Sequence, residues 1–207
     1  MFLSSLDKRL AIALFIVLFV LRYLRTVVSI FTFLMFKPKP VSEKPRYTWA
    51  DTSVVIPTTF KHPAELVQCL RSIVDNRPAH IILVTSRSNV ELVKTCCQLN
   101  HFKDVRVFGV ERLHKRIQMM RAVVEVTTDI TVFCDDDVTW PSGYLDLLLA
   151  VFENPNVGAG GTRQRVRRNK DHINFWNFLG ICYLERRVWN NVSTNAIDGS
   201  LSTLSGR

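Results

Sequence analysis

The chain has 207 residues, with 27 Lys and Arg against 18 Asp and Glu, a formal net charge of +9. At 47% hydrophobic and 22% charged it is too apolar to be disordered, and its length allows one ordinary domain plus an appendage. Residues 1–46 hold eight basic and two acidic residues and the remainder nineteen and sixteen, so the excess flanks a hydrophobic segment and does not mark a nucleic-acid-binding domain.

That segment, Leu10–Phe36, comes first in chain order. Its 27 residues exceed the roughly 20 needed to cross a bilayer as a helix. Arg22 and Arg25 interrupt it, and a charge near the bilayer centre costs about 3 kcal/mol. Two arrangements accommodate them. Either the helix crosses, with the arginines snorkelling or meeting other helices, or it lies at the interface. Lys37-Pro38-Lys39-Pro40 follows where a cleaved signal peptide would carry small residues, which argues against removal. Lys8 and Arg9 precede the segment, while Lys37, Lys39, Lys44 and Arg46 follow it. The positive-inside rule then puts the C-terminal side in the cytosol, at the plasma membrane or a Golgi or ER membrane. Five cysteines, an odd number with no C-x-x-C, agree with a reducing compartment.

Residues 1–36 thus read as a membrane segment, 37–52 as a Pro- and Lys-rich linker and 53–207 as a folded domain. Within the domain, β-branched runs predict strands over Ser53–Ile56, His80–Thr85, Val105–Val110 and Ile130–Cys134, with a fifth over Val157–Gly160. Amphipathic stretches predict helices over Ala64–Val74, Val90–Leu99, Leu113–Val126 and Ser142–Phe152, the last capped by Ser142. This alternation means an α/β fold with a mostly parallel sheet and helices on both faces. Ligands of such sheets bind beyond the carboxyl ends of the strands.

Asp135-Asp136-Asp137 stands at one such end. Adjacent carboxylates repel, and a divalent cation is the simplest compensation. In extended chain, residues i and i+2 point the same way, so Asp135 and Asp137 can converge on one ion. A solvated loop with helix-capping acids is the competing reading of the triplet alone.

Val54-Val55-Ile56-Pro57-Thr58, then Lys115-Arg116 before a helix, then the acidic strand end followed by Pro141, come in an order that resembles the family 2 glycosyltransferases. The stretches Phe133–Pro141 and Gly160–Val166 look most like the fungal capsular-polysaccharide and hyaluronan-synthase-like membrane synthases. The resemblance implies a GT-A (Rossmann-like) nucleotide-sugar-binding domain preceded by a membrane helix, and inverting transfer of a sugar from a nucleoside-diphosphate donor, with UDP the expected carrier, to a growing polysaccharide or glycan. It places Pro57, Thr58, Lys115, Arg116 and Asp135 against the donor. It gives Asp135 and Asp137 to Mg²⁺ or Mn²⁺ on the diphosphate, and puts Gly199, Ser205, Gly206 and Arg207 on the acceptor side. Implied partners are therefore a nucleotide sugar, a glycan acceptor and the lipid bilayer, without nucleic acid.

Two departures from the family pattern stand out. Acids are expected after the second strand, where this chain has Val84-Thr85-Ser86-Arg87-Ser88. The catalytic base is expected in a motif beyond Arg207, so the chain looks like the N-terminal part of a synthase, whether fragment, splice form or degenerate copy. A non-catalytic, donor-binding or regulatory membrane protein is the alternative.

The remaining candidates have plainer readings. Arg163, Arg165, Arg167, Arg168 and Lys170 form a basic cluster suited to solvent or to an anionic chain, diphosphate or headgroup. The histidines show no metal-ligand spacing, and His114 reads as a surface residue beside Lys115. Phe175, Trp176, Phe178 and Tyr183 lie at helical spacing and read as core or membrane-interface residues before a sugar platform.

Overall fold

In a computed structural model of the chain, the described residues are 2–162, 164–166 and 174–199. They fall into two compact units, one within residues 38–162 and the other pairing the first helix with the last.

The larger unit is built on four parallel strands: β1 (Thr52–Pro57), β2 (His80–Ser86), β3 (Val105–Val110) and β4 (Ile130–Phe133), in the order β3-β2-β1-β4. The central strands β1 and β2 are buried almost throughout, as their unbroken runs of Val, Ile and Leu require. The edge strands β3 and β4 are only half-covered. Side chains alternate between two cores. Val54, Ile56, Ile81 and Leu83 meet Leu66, Leu70 and Ile73 of α2 (Pro63–Val74), Val93 of α3 (Val90–Leu99) and Leu145 and Leu148 of α5 (Tyr144–Leu149). On the other face Val55, Ile82 and Val84 meet Ala122 of α4 (Lys115–Val123). Complete burial of a Leu or Ile contributes about 1.5–3 kcal/mol. Truncating Leu70 to Ala is expected to cost about 2–5 kcal/mol, because the cavity adds to the lost transfer energy.

Local signals set the helix ends. Pro63 occupies the first turn of α2, where its missing N–H costs nothing. The helix stops at Asp75, and Arg77 then takes a left-handed conformation (φ 54°) ahead of Pro78. Helix α4 starts at Lys115, two residues later than expected, because His114 is extended and its Nδ1 accepts from the Arg116 N–H at 3.3 Å. Helix α5 is shorter than its pattern and runs on as a 3₁₀ turn over Ala150–Glu153. Its N-cap is Gly143 at φ 70°, not Ser142. A left-handed residue is needed there, and glycine adopts it without a Cβ clash.

The expected fifth strand over Val157–Gly160 is absent. Val157 N–H closes a turn onto Asn154 C=O at 3.0 Å, and 158–162 carries no regular structure. Val157 is followed by Gly158-Ala159-Gly160-Gly161, a run without the branched side chains that favour a pleated, half-buried strand.

The second unit holds α1 (Phe2–Met35) and α6 (Phe175–Asp198). At 34 residues α1 is about 51 Å long, from a rise of ~1.5 Å per residue. Its stretch Asp7–Met35, with mean hydropathy 2.2, is long and apolar enough to cross a membrane. The two helices run antiparallel where they touch. Ser29 donates to Ser193 at 3.1 Å, and the Phe33 and Trp189 rings lie 4.9 Å apart. Ser193 is the hydroxyl of the sequon Asn191-Val192-Ser193, and it is buried in this contact. Phe175, Trp176, Phe178 and Tyr183, at the other end of α6, are exposed within their unit.

Candidate active site

The strand order reverses between β1 and β4, with β2 and β3 continuing on the far side of β1. At such a switch point the connections leave in opposite directions and open a crevice at the carboxyl ends. The ladder extends slightly past both strands. Cys134 N–H reaches Val55 C=O at 3.0 Å, and Thr58 N–H reaches Val84 C=O at 2.9 Å. These bonds fix Thr58 and the acidic triplet beside each other.

Thr58 is buried, and its hydroxyl is used twice. It accepts from Phe60 N–H at 2.9 Å and donates to Asp136 Oδ2 at 2.5 Å. The first bond turns the chain sharply after β1 and holds Phe60 at φ 57°, a conformation uncommon for a side chain of its size. The second joins the two strand ends across 78 residues of sequence.

The triplet itself is a turn, not an extended segment. Val138 N–H approaches Asp135 C=O at 3.4 Å, with Asp136 and Asp137 between them. The alternation expected of extended chain therefore does not apply, and each acid has its own surroundings. Asp135 is half-buried and ion-paired to Lys115 Nζ. Asp136 is half-buried and holds Thr58. Asp137 is exposed, without a hydrogen bond or ion pair from its side chain among the described residues. The turn separates the charges, so Asp135 and Asp136 each have a partner of their own and Asp137 faces solvent.

Two thiols support the turn from below. Cys69 Sγ and Cys134 Sγ both point at Asp135 C=O, at 3.5 and 3.3 Å. The Cys69 thiol is driven far above the ordinary cysteine range by the adjacent Cys134, by burial and by the Asp136 carboxylate. It therefore stays protonated and serves as a donor. Beyond the turn the chain is tied to α2. Trp140 N–H donates to Ser72 Oγ at 3.0 Å, and Asn76 Nδ2 donates to Ser72 C=O at 2.8 Å and Pro141 C=O at 3.1 Å. The Tyr144 ring lies 4.6 Å from Trp140, and its hydroxyl pairs with Thr162 at 2.7 Å. Burial pushes that phenol upward, so it too remains neutral.

The structure thus brings Thr58, Lys115 and Asp135 together with Asp136, and Pro57 is the last residue of β1. Arg116 is exposed on the first turn of α4, and His114 serves as that helix's cap. Gly199 lies outside this unit, as the left-handed C-cap of α6 at φ 74°. Ser205, Gly206 and Arg207 lie outside the described residues, as do Arg163, Arg167, Arg168 and Lys170. Arg165 is exposed. Sequence alone gives Asp136 and Gln118 no role. Gln118 is buried on α4 while the helix's apolar Ile117, Met120 and Val123 are exposed, so the hydrophobic pattern pointed to the opposite face and carried no signal for it.

The donor set at the strand ends is all hard oxygen, with one unengaged carboxylate and one held by a displaceable ammonium. Among the described residues no three His, Cys, Asp or Glu side chains gather as a metal cage. One or two carboxylates, completed by water and phosphate oxygens, is what Mg²⁺ and Mn²⁺ take. The residues fit such an ion.

Comparison with known proteins gives the family. A family model described as "Glycosyltransferase like family 2" matches residues 50–207. The chain is 42% identical over 193 residues to a type 2 glycosyltransferase of Zymoseptoria tritici, covering 93% of this chain and 41% of that protein. It is 39% identical over 196 residues to one of Pyricularia oryzae, with coverage of 93% and 41%. A protein of Aspergillus luteorubrus named NDP-glycosyltransferase ltbB is 29% identical over 128 residues, which is 60% of this chain and 31% of that one. The chain spans about two fifths of the length of the type 2 relatives. The matched region runs through all four strands, the crevice between β1 and β4 and the acidic turn, and the parallel sheet with its flanking helices is GT-A-like; the chain belongs to glycosyltransferase family 2.

Proposed function

We propose that residues 38–162 form the donor side of a membrane-anchored glycosyltransferase that takes its sugar from a nucleoside-diphosphate carrier, UDP, and passes it to a growing glycan. The observation that carries this reading is the crevice at the switch point, where Thr58, Lys115 and the acidic turn meet. In transfer, the bond from the anomeric carbon to the diphosphate oxygen breaks, and negative charge develops on the leaving diphosphate. Stabilising that charge is the main task of such a site. Asp135 and Asp137 would hold Mg²⁺ or Mn²⁺, which supplies Lewis-acid stabilisation of the diphosphate when bound. Lys115, paired with Asp135 in this structure, would pair with the phosphate oxygens of the bound donor. Asp136 stays with Thr58 and fixes the turn. All three acids are then engaged on the donor side.

Helix α1 is assigned to the bilayer. Its apolar side chains from Leu10 to Leu24 face outward, and basic residues follow its C-terminal end. The lysines and arginine after Met35 support a cytosolic side for residues 38–162 by the positive-inside rule. The test is calorimetry of the full chain in detergent with UDP and Mn²⁺. Binding is expected with Mn²⁺ present and is expected to vanish on addition of EDTA. Equal binding in EDTA would contradict the metal-assisted reading, and no binding to UDP would contradict the donor assignment.

A further inference from the structure

Gln118 lies in the first turn and a half of α4 and is 4% exposed. A buried carboxamide requires partners. Its Nε2 donates to Thr58 C=O at 3.0 Å and to Val84 C=O at 2.7 Å, so both amide protons are used. The acceptors belong to neighbouring strands. Val84 lies in β2 opposite Pro57, the last residue of β1, and Thr58 follows it. Val84 C=O also accepts from Thr58 N–H. Thr58 C=O is one residue past the ladder, and Gln118 is the donor that reaches it. The carboxamide therefore brackets the two strand ends where the crevice opens.

The bracket also fixes the helix that carries Lys115. Residues 115 and 118 are three apart and lie on neighbouring parts of one helix surface. Gln118 N–H bonds back to His114 C=O at 3.0 Å, closing the turn that contains Lys115. Lys115 is half exposed and ends on Asp135, so its reach depends on where the first turn of α4 is held. We infer that Gln118 is a positioning residue for the donor diphosphate. By clamping α4 to the ends of β1 and β2, it sets the distance from Lys115 to the acidic turn, and it acts on ligand through Lys115. This rests on the proposed donor site.

A double-mutant cycle on the full chain tests it, with UDP and Mn²⁺ as the probe and calorimetry as the readout. Gln118→Met keeps the size and removes both donors. In the wild-type background it is expected to weaken UDP binding about tenfold. In a Lys115→Met background it is expected to weaken binding less than about twofold, because the group it positions is gone. A merely structural role would give the same fold-loss in both backgrounds, and that result would overturn the inference. Gln118→Asn, one methylene shorter, replaces Gln118→Met in the cycle should the latter not fold. Failure of the underlying reading is distinguishable. If wild-type chain does not bind UDP, or Lys115→Met binds as wild type does, the donor site itself is wrong and the inference goes with it.

Discussion

The hydroxyl of Thr58, at the end of β1, donates to the middle carboxylate of the acidic turn, Asp136, at 2.5 Å. It links the two strands that flank the switch point, and it uses the one acid of the triplet that the metal reading leaves over. Thr58→Val keeps the shape, removes this donor and also strands the Phe60 N–H. Hydrogen bonds to charged groups contribute about 1.5–3 kcal/mol, so the variant should lose roughly that much in urea unfolding. UDP affinity should fall as well, since the turn loses its brace. Unchanged stability would mean the bond contributes nothing in solution.

On the proposed reading, Lys115 and a cation compete for Asp135. With Lys115→Met, Mn²⁺ alone should bind at least as tightly as it does to wild type, because the competing ammonium is gone. UDP in the presence of Mn²⁺ should bind about tenfold more weakly, ~1.4 kcal/mol, because the phosphate oxygens lose a cation. Opposite movement of the two affinities is the signature to look for. A parallel loss of both would indicate general damage to the turn.

The buried thiols predict an alkaline weakening of the fold. Burial raises Cys97 from its ordinary 9.0 to about 11, with its neighbour Cys96 adding to the shift. The folded state therefore favours the protonated thiol, while the unfolded chain releases its proton near pH 9. Stability from this group is complete below pH 9 and is lost as the pH rises toward 11. Cys69 shifts in the same direction. The melting temperature should fall more steeply between pH 9 and 11 in wild type than in Cys97→Ala, by about 2–4 °C. Parallel slopes would contradict it.

Helix α1 should keep the chain with membranes through a carbonate wash, and removing residues 1–43 should release or aggregate it. Full-length protein in the soluble fraction would contradict the anchor.

Much of the fold was legible in the sequence, for identifiable reasons. β1 and β2 are apolar on both faces, and α2 has Leu66, Leu70 and Ile73 at helical spacing, so period and composition agreed. The fifth strand failed because Val157 alone suggested it, while Gly158, Ala159 and Gly160 made up the rest. Ser142 looked like a cap by residue type, but the left-handed turn at Gly143 set where α5 could begin. At the site, the acidic triplet and the Lys-Arg pair stood out as charges beside apolar segments. The bonds that arrange them did not. Thr58 meets Asp136 across 78 residues and Gln118 meets Thr58 across 60, and no local pattern encodes such pairings. The conformation of the triplet was also out of reach, because the strand ladder ends at Cys134 and releases the chain into a turn.

The most direct measurement is calorimetry of UDP with Mn²⁺ on the full chain and on the variant carrying both Asp135→Asn and Asp137→Asn. Asparagine keeps the size of each side chain and removes the charge a cation needs. Asp136 and its bond to Thr58 are untouched, so the turn should hold. The double variant is expected to bind UDP at least tenfold more weakly, about 1.4 kcal/mol, and to lose the difference between Mn²⁺ and EDTA. Affinity equal to wild type, with the Mn²⁺ dependence intact, would contradict a cation held by these two carboxylates.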